Sequence, residues 1–253
     1  DNGVNGDNNG TQPGGRATAV YSPIVTLTQG AEPGNLGTGG DSVEDTIDFG
    51  LLTAVDYGDN ASFGSAGSNL AASLLIGSVT DSEYSANTNA GATGDDLAGL
   101  DDEDGVVVPA AIYQGTSTTL SVTLTNTSGA SAFLNAWVDF NDNGILTDAG
   151  EQVANNTLIA NGTNGTSRNI TFNTPATAVL GNVGIRVRLT SVSTPGSIGN
   201  AGNGEVEDYV VSVCPAVTVS PATLPVPTVG TAYTQTFTAS GGVSPYTYTV
   251  SSG

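Results

Sequence analysis

Four stretches alternate apolar and polar side chains with a period of two, and that alternation restricts the fold more than any other feature. "TTLSVTLTNTSG" aligns Leu120, Val122 and Leu124 against Ser and Thr. "FLNAWVDF" aligns Leu134, Ala136, Val138 and Phe140. "VGIRVRLT" sets Ile185, Val187 and Leu189 against Arg186 and Arg188, and "EDYVVSVC" aligns Tyr209, Val211 and Val213. Successive strand side chains point to opposite faces, so each stretch is a strand with one apolar face. Clusters of Gly, Asn, Asp and Ser between them supply turns. The expected fold is all-β: an antiparallel β-sandwich, jelly-roll or Ig-like, with one wet face per sheet. "SNLAASLLIG" fits a helical turn or a buried strand at Leu74 to Ile76, and the pattern leaves both open.

These strands fall within residues 53–213, the only region long enough for a complete core. Residues 1–52 open on the polar run "DNGVNGDNNGTQPGG" and hold two strand candidates, "SPIVTLTQG" and "DTIDFGLL". Residues 214–253 hold three more, at Val217 to Val219, Tyr233 to Ala239 and Tyr246 to Val250, interrupted by prolines that suit linkers or edge strands. Neither flank has strands enough for a sandwich. Both read as incomplete domains, explained by excision from a longer precursor or by strand exchange between subunits. The lack of Met agrees with a mature or excised chain.

Charge excludes several functions. Asp and Glu number 24 against 4 Lys and Arg, with no His, for a net charge of -20. The cations are Arg16, Arg168, Arg186 and Arg188. Nucleic acid and anionic membrane surfaces need clustered cations, and no apolar run is long enough for membrane insertion. Without His or Lys, general-base, Schiff-base and P-loop chemistry lose their usual residues, as do Lys–Asn isopeptide crosslinks. A glycosidase using Glu205 and Glu207 survives this filter, but adjacent Glu on one strand face are badly placed to flank a scissile bond. The chain is expected not to be an enzyme.

Where, then, do the acids go? In "DFNDNGILTDAGE", Asp139, Asn141 and Asn143 take positions 1, 3 and 5 of a calcium-loop pattern, with Gly144 at position 6 and the Ile145 carbonyl at position 7. Gly150 stands where the pattern wants its closing Glu, so Asp148, Glu151 or both would complete the shell. A plain Asn-Gly hairpin with solvated acids reads the same residues. "GDDLAGLDDEDGV" gathers Asp95, Asp96, Asp101, Asp102, Glu103 and Asp104, whose mutual repulsion a divalent cation or solvent exposure would relieve. "DYGD" (Asp56, Asp59) and "GEVED" (Glu205, Glu207, Asp208) are smaller acidic signals near the two ends of the same region.

"DYGD", "TDSE" at 80–83, "GLDDEDGV" at 99–106, "LNAWVDFNDNG" at 134–144, "GE" at 150–151 and "NGEVEDYVV" at 203–211 occur in that order. Together they closely resemble the GEVED domain of bacterial cell-surface and secreted proteins. The likeness covers about residues 53–213 and departs from the usual "DYGDAP" at "DYGDNA". It implies a β-sandwich of large extracellular proteins whose acidic motifs bind Ca2+. Residues 1–52 are similar to the C-terminal half of the B-type module of serine-aspartate-repeat adhesins, which would make Asp1, Asn5, Asp7 and Asn9 ligands as well. Residues 214–253 are similar to the opening half of bacterial Ig-like repeats.

The expectation is a non-catalytic extracellular or cell-surface protein, its domains stiffened by calcium into a stalk, fibre or matrix filament. Its partners would be neighbouring domains or copies of itself, joined head to tail by strand complementation. The alternative is a calcium-dependent adhesin or carbohydrate-binding module for surface glycans, with Trp137 as its stacking platform. Trp137 lies on the face opposite Leu134, Ala136 and Val138, where packing against a second layer is the other reading. Cys214, the single cysteine, reads as a small apolar residue at a domain junction. The Asn-x-Ser/Thr sequons are taken as unmodified.

Overall fold

The computed structural model describes residues 55–80, 83, 86–94 and 101–250. The strand candidates of residues 1–52, with Asp1, Asn5, Asp7 and Asn9, lie outside the described residues. So do the 1–52 domain and its likeness to a B-type module.

The described residues form strands and no helix. In chain order these are β1 (Val55–Tyr57), β2 (Ala66–Asn69), β3 (Leu74–Ile76), β4 (Val106–Val107), β5 (Ala111–Tyr113), β6 (Ser117–Asn126) and β7 (Ala132–Val138). Then come β8 (Gln152–Ile159), β9 (Thr163–Asn173), β10 (Gly181–Thr190), β11 (Gly199–Cys214), β12 (Thr218–Ser220) and β13 (Thr238–Ser240). One sheet runs β1-β2-β11-β10-β7-β8, with β5 also on β11; a second runs β3-β6-β4, with β9 on the other edge of β6. The fold is an all-β sandwich. "SNLAASLLIG" yields the strand β3, because Leu74 and Ile76 both bury in the core.

The apolar faces meet as the alternation requires. Leu120, Val122 and Leu124 from the smaller sheet pack against Leu134, Ala136, Val138, Ile185, Val187, Leu189, Val211 and Val213 from the larger. Each Val, Leu or Ile among them contributes about 1.5–3 kcal/mol on leaving water. On β6 the other face, Ser117, Thr119, Ser121, Thr123 and Thr125, is exposed or half-buried, so there the wet-face expectation holds.

On the larger sheet that expectation fails. Arg186, Arg188, Asn135, Trp137 and Asp208 point away from the core, yet all are buried. A third layer covers them, formed by the chain around residues 58–67 and 196–199. Arg186 donates to Asp208 through Nε (2.8 Å) and Nη2 (2.7 Å), and to the carbonyls of Gly64 (2.7 Å) and Ser197 (2.8 Å). Arg188 donates to the carbonyls of Gly196, Gly67 and Gly199. Phe63 lies under the Arg186 guanidinium at 5.1 Å and packs with Trp137 and Leu146. Two of the chain's four cations therefore hold this layer by its backbone carbonyls.

A second correction concerns strand direction. Two pairings are parallel: β2 joins the start of β11 and β5 joins its end. Both lie on the edge of β11 opposite β10, which leaves the middle of that edge to side chains. Beyond Cys214, β12 and β13 form a separate two-stranded sheet. It matches the candidate at Val217 to Val219 and only the tail of the one at Tyr233 to Ala239. Tyr246 to Val250 forms no strand.

Candidate metal centre

The unpartnered stretch of the β11 edge is where the acidic motifs converge. Asp56 on β1 reaches across and accepts the Val206 N–H at 2.5 Å, replacing a missing strand partner. Glu83 is placed by its own N–H, which donates to the Val55 carbonyl (2.9 Å), and its Oε2 accepts the Tyr57 N–H at 2.7 Å. Asp102 comes from the segment leading into β4. Oxygens of Asp56, Glu83 and Asp102 all lie within 4.8 Å of one another. Asp56 and Asp102 are buried and Glu83 half-buried.

Glu205 and Glu207 approach from the core-facing side of β11, continuing the row of Tyr209, Val211 and Val213. Glu205 Oε2 accepts from the Ile76 N–H, and Glu207 Oε1 accepts from the Gly105 N–H at 2.9 Å. Those amides belong to β3 and to the residue before β4, which sit beside Thr123 of β6 on one edge. The two glutamates thus tie the sheets together where apolar packing ends. Gly77 and Gly105 are required there, since a Cβ on Gly77 would collide with the Asp104 carboxylate and one on Gly105 with the Gly77 backbone. Tyr209 donates to Glu207 Oε2 (3.0 Å) and accepts the Val106 N–H (3.2 Å).

Like charges buried together resist ionisation. Burial first, then Glu205, Asp102 and Glu83, pushes the Asp56 carboxyl well above its usual range. Burial and then Glu207 raise Glu205 to about 10, and burial raises Glu207 to about 8 against the pull of its Gly105 and Tyr209 hydrogen bonds. Arg188 is lowered to about 10 by burial and then by Arg186, with Asp56 and Asp208 acting in the opposite sense.

Do these residues suit a cation? The donors are all carboxylate oxygens, the set that hard divalent ions such as Ca2+ or Mg2+ take and that zinc and copper sites rarely use alone. Glu205 Oε1 is fully buried and has no hydrogen-bond partner, an acceptor position that a cation would fill. On both counts the residues fit.

The other sequence candidates lie elsewhere. Asp208 is on the opposite face of β11, and its oxygens accept from Arg186 and from the Asn60 N–H (2.9 Å). Asp59 is buried and its Oδ2 accepts the Gly94 N–H at 2.6 Å. Asp101 is exposed, Glu103 is half-buried, and Asp104 caps the Ser78 turn through N (2.9 Å) and Oγ (2.6 Å). Asp139, Asn141, Asn143, Ile145, Asp148 and Glu151 form a separate loop between β7 and β8. Glu83 is the residue that ligand reasoning missed; its signal was present, as the last letter of "TDSE". Trp137 is 3 % exposed, which removes it as a sugar platform.

Residues 133–212 match the GEVED domain. The matched span runs from β7 to β11. It thus includes Glu205 and Glu207, whereas Asp56, Glu83 and Asp102 reach the GEVED region from the preceding chain. Among solved structures, the chain is similar to the CARDB domain of the PF1109 protein from Pyrococcus furiosus, described as in complex with di-metal ions. That likeness has 19% sequence identity and a TM-score of 0.27, covering 43% of this chain and 83% of that one. No curated protein matches the chain.

Proposed function

We propose that the chain is a non-catalytic structural module of an extracellular or cell-surface protein, stiffened by calcium at the Asp56–Glu83–Asp102 centre. The observation that carries this reading is the convergence of three distant segments onto one oxygen cluster, two of its three carboxylates buried, beside the orphaned Glu205 Oε1. Calcium bound there would join β1, the 83 and 102 segments and β11, giving the third layer and the sheet edge one common anchor. Extracellular calcium is millimolar, so even weak sites of this kind fill. The acids are engaged by backbone amides inside the fold, an arrangement that serves cross-bracing better than turnover. Among the described residues no helix is long and apolar enough to cross a membrane.

Neighbouring domains or copies of the chain are the proposed partners, assembled into a stalk or filament by strand addition. Val219, Val226, Phe237 and Val250 are exposed around the β12–β13 pair, and a two-stranded sheet is marginal without further cover. A second reading, glycan binding, draws on one groove of about 540 Å³ lined by Leu124, Ile159 and the polar run Thr163, Thr166, Ser167, Arg168 and Asn169, whose side chains suit sugar hydroxyls. Saturable retention on a glycan array would favour it over the structural role.

Thermal unfolding of the full chain in chelator, magnesium and calcium tests the main proposal. A hundredfold excess of calcium over its Kd should add about 2.7 kcal/mol, a rise of about 5–11 °C in Tm for a domain of this size. Asp102→Asn should abolish most of that rise. Equal melting in calcium and chelator sinks the proposal.

A further inference from the structure

The loop between β7 and β8 holds a second buried carboxylate that nothing in the fold explains. Glu151 is 3 % exposed, and neither of its oxygens has a hydrogen-bond partner. An unpaired carboxylate in such a place costs several kcal/mol if ionised, about the scale of leaving any charge buried alone. Its neighbours worsen the cost. Burial and then Asp139 raise its pKa to about 7, with Asp148 adding to the effect, while the nearby Asn141 and Phe140 amides oppose it only in part. The surrounding groups are oxygens and amides, with no Arg among the contacts.

The rest of the loop is built around the same point. Asp139 is buried at the end of β7, where its Oδ1 accepts the Asn143 N–H (3.1 Å) and its Oδ2 the Gly144 N–H (2.7 Å). Each carboxylate oxygen keeps a second acceptor direction free. Asn141 and Asn143 aim their side-chain amides at Asp148 Oδ2, at 2.8 and 2.9 Å. Turning both amides over, at the cost of their bonds to the Asn143 and Ile145 N–H groups, would set three oxygens at that spacing, which is the separation of neighbouring ligands in a calcium shell. Gly144, at φ +77, makes the sharp turn that brings the two ends of the loop together.

We propose that this loop is a second, independent seat for a hard divalent cation of the calcium type, with the buried Glu151 as its anchoring ligand and Asp139 and Asp148 completing the acidic shell. The seat does more than neutralise charge. Leu146 lies inside the loop and packs against Trp137 and Phe63, and Gly144 abuts the Ser62 carbonyl. A cation held by Glu151 therefore fastens the β7–β8 turn onto the third layer. Filling the loop does not depend on filling that centre.

Trp137 supplies the readout. It is the only tryptophan, it touches Leu146, and it pairs across the strands with Gln152, the neighbour of Glu151. Terbium bound in the loop should therefore luminesce when Trp137 alone is excited, and calcium should displace it. In the full chain, Glu151→Gln should weaken that tryptophan-sensitised signal at least tenfold. Asp148→Asn, at a half-buried position whose replacement keeps the shape, serves as the second variant if Glu151→Gln misfolds, and circular dichroism checks each fold. Asp56→Asn with Asp102→Asn should leave the loop signal intact while reducing the calcium effect on melting to the share that the loop supplies. Tryptophan-sensitised binding that survives both loop variants overturns the second seat and leaves the first centre standing. A parent chain with no such luminescence overturns it equally.

Discussion

Replacing Glu205 by Gln should stabilise the protein in chelator and destabilise it relative to the parent's gain in calcium. Glu205 is fully buried, and its carboxyl is raised from 4.5 to about 10 by burial and by Glu207. A raised acid binds its proton more tightly in the folded chain than in the unfolded one. Stability is then full below the unfolded value and falls as pH climbs toward the folded value, by about 1.4 kcal/mol per pH unit. At about pH 7.5 the accumulated loss is roughly 4 kcal/mol, close to the whole stability of a marginal domain. Gln keeps an acceptor for the Ile76 amide and has no charge to desolvate, so in chelator the variant should recover most of that loss and show a flatter pH profile. With calcium present the order should narrow or invert, because an amide is a weaker ligand than a carboxylate. Urea unfolding followed by Trp137 emission, from about pH 5 to about pH 8 with and without calcium, reads both effects. A parent whose stability in chelator is flat with pH, or a Gln variant no more stable than the parent at the alkaline end, would refute the reasoning.

Three further outcomes follow from the third layer. Asp208→Asn leaves the buried Arg186 guanidinium without its ion partner and should cost about 3–5 kcal/mol in urea unfolding; a loss under about 1 kcal/mol would mean the carbonyls of Gly64 and Ser197 suffice alone. Phe63→Ala opens a gap against Trp137 and Leu146; it should cost about 3–5 kcal/mol and shift tryptophan emission to the red, and unchanged emission would contradict the packing. Gly144→Ala sets a side chain at φ +77 against the Ser62 carbonyl; a loss of about 1–3 kcal/mol with weaker cation response in the loop is expected, and a neutral result would remove the close approach.

The core was legible because period-two alternation is a local property. Leu120, Val122 and Leu124, or Ile185, Val187 and Leu189, can face only one way on a strand, and burial followed that face. The acidic turn from Asp139 to Glu151 was legible for the same reason, since its residues are contiguous. What alternation could not reveal was what lies on the other face. Arg186 and Arg188 read as solvent-facing, yet a chain segment 121 to 122 residues earlier in sequence folds over them, as their bonds to Gly64 and Gly67 show.

The acidic centre divides along the same line. Sequence by itself set the donors: carboxylates in ordered motifs, almost no cation to pair them, and turns to present them. Tertiary structure decided which of them meet. Asp56, Glu83 and Asp102 converge because β2 and β5 pair only the ends of the β11 edge, leaving its middle to side chains, whereas Asp208, one residue from Glu207, is carried by the strand's alternation to the opposite face and to Arg186. A motif fixes which atoms are available; strand direction and register, which depend on contacts far apart in the chain, fix where they point.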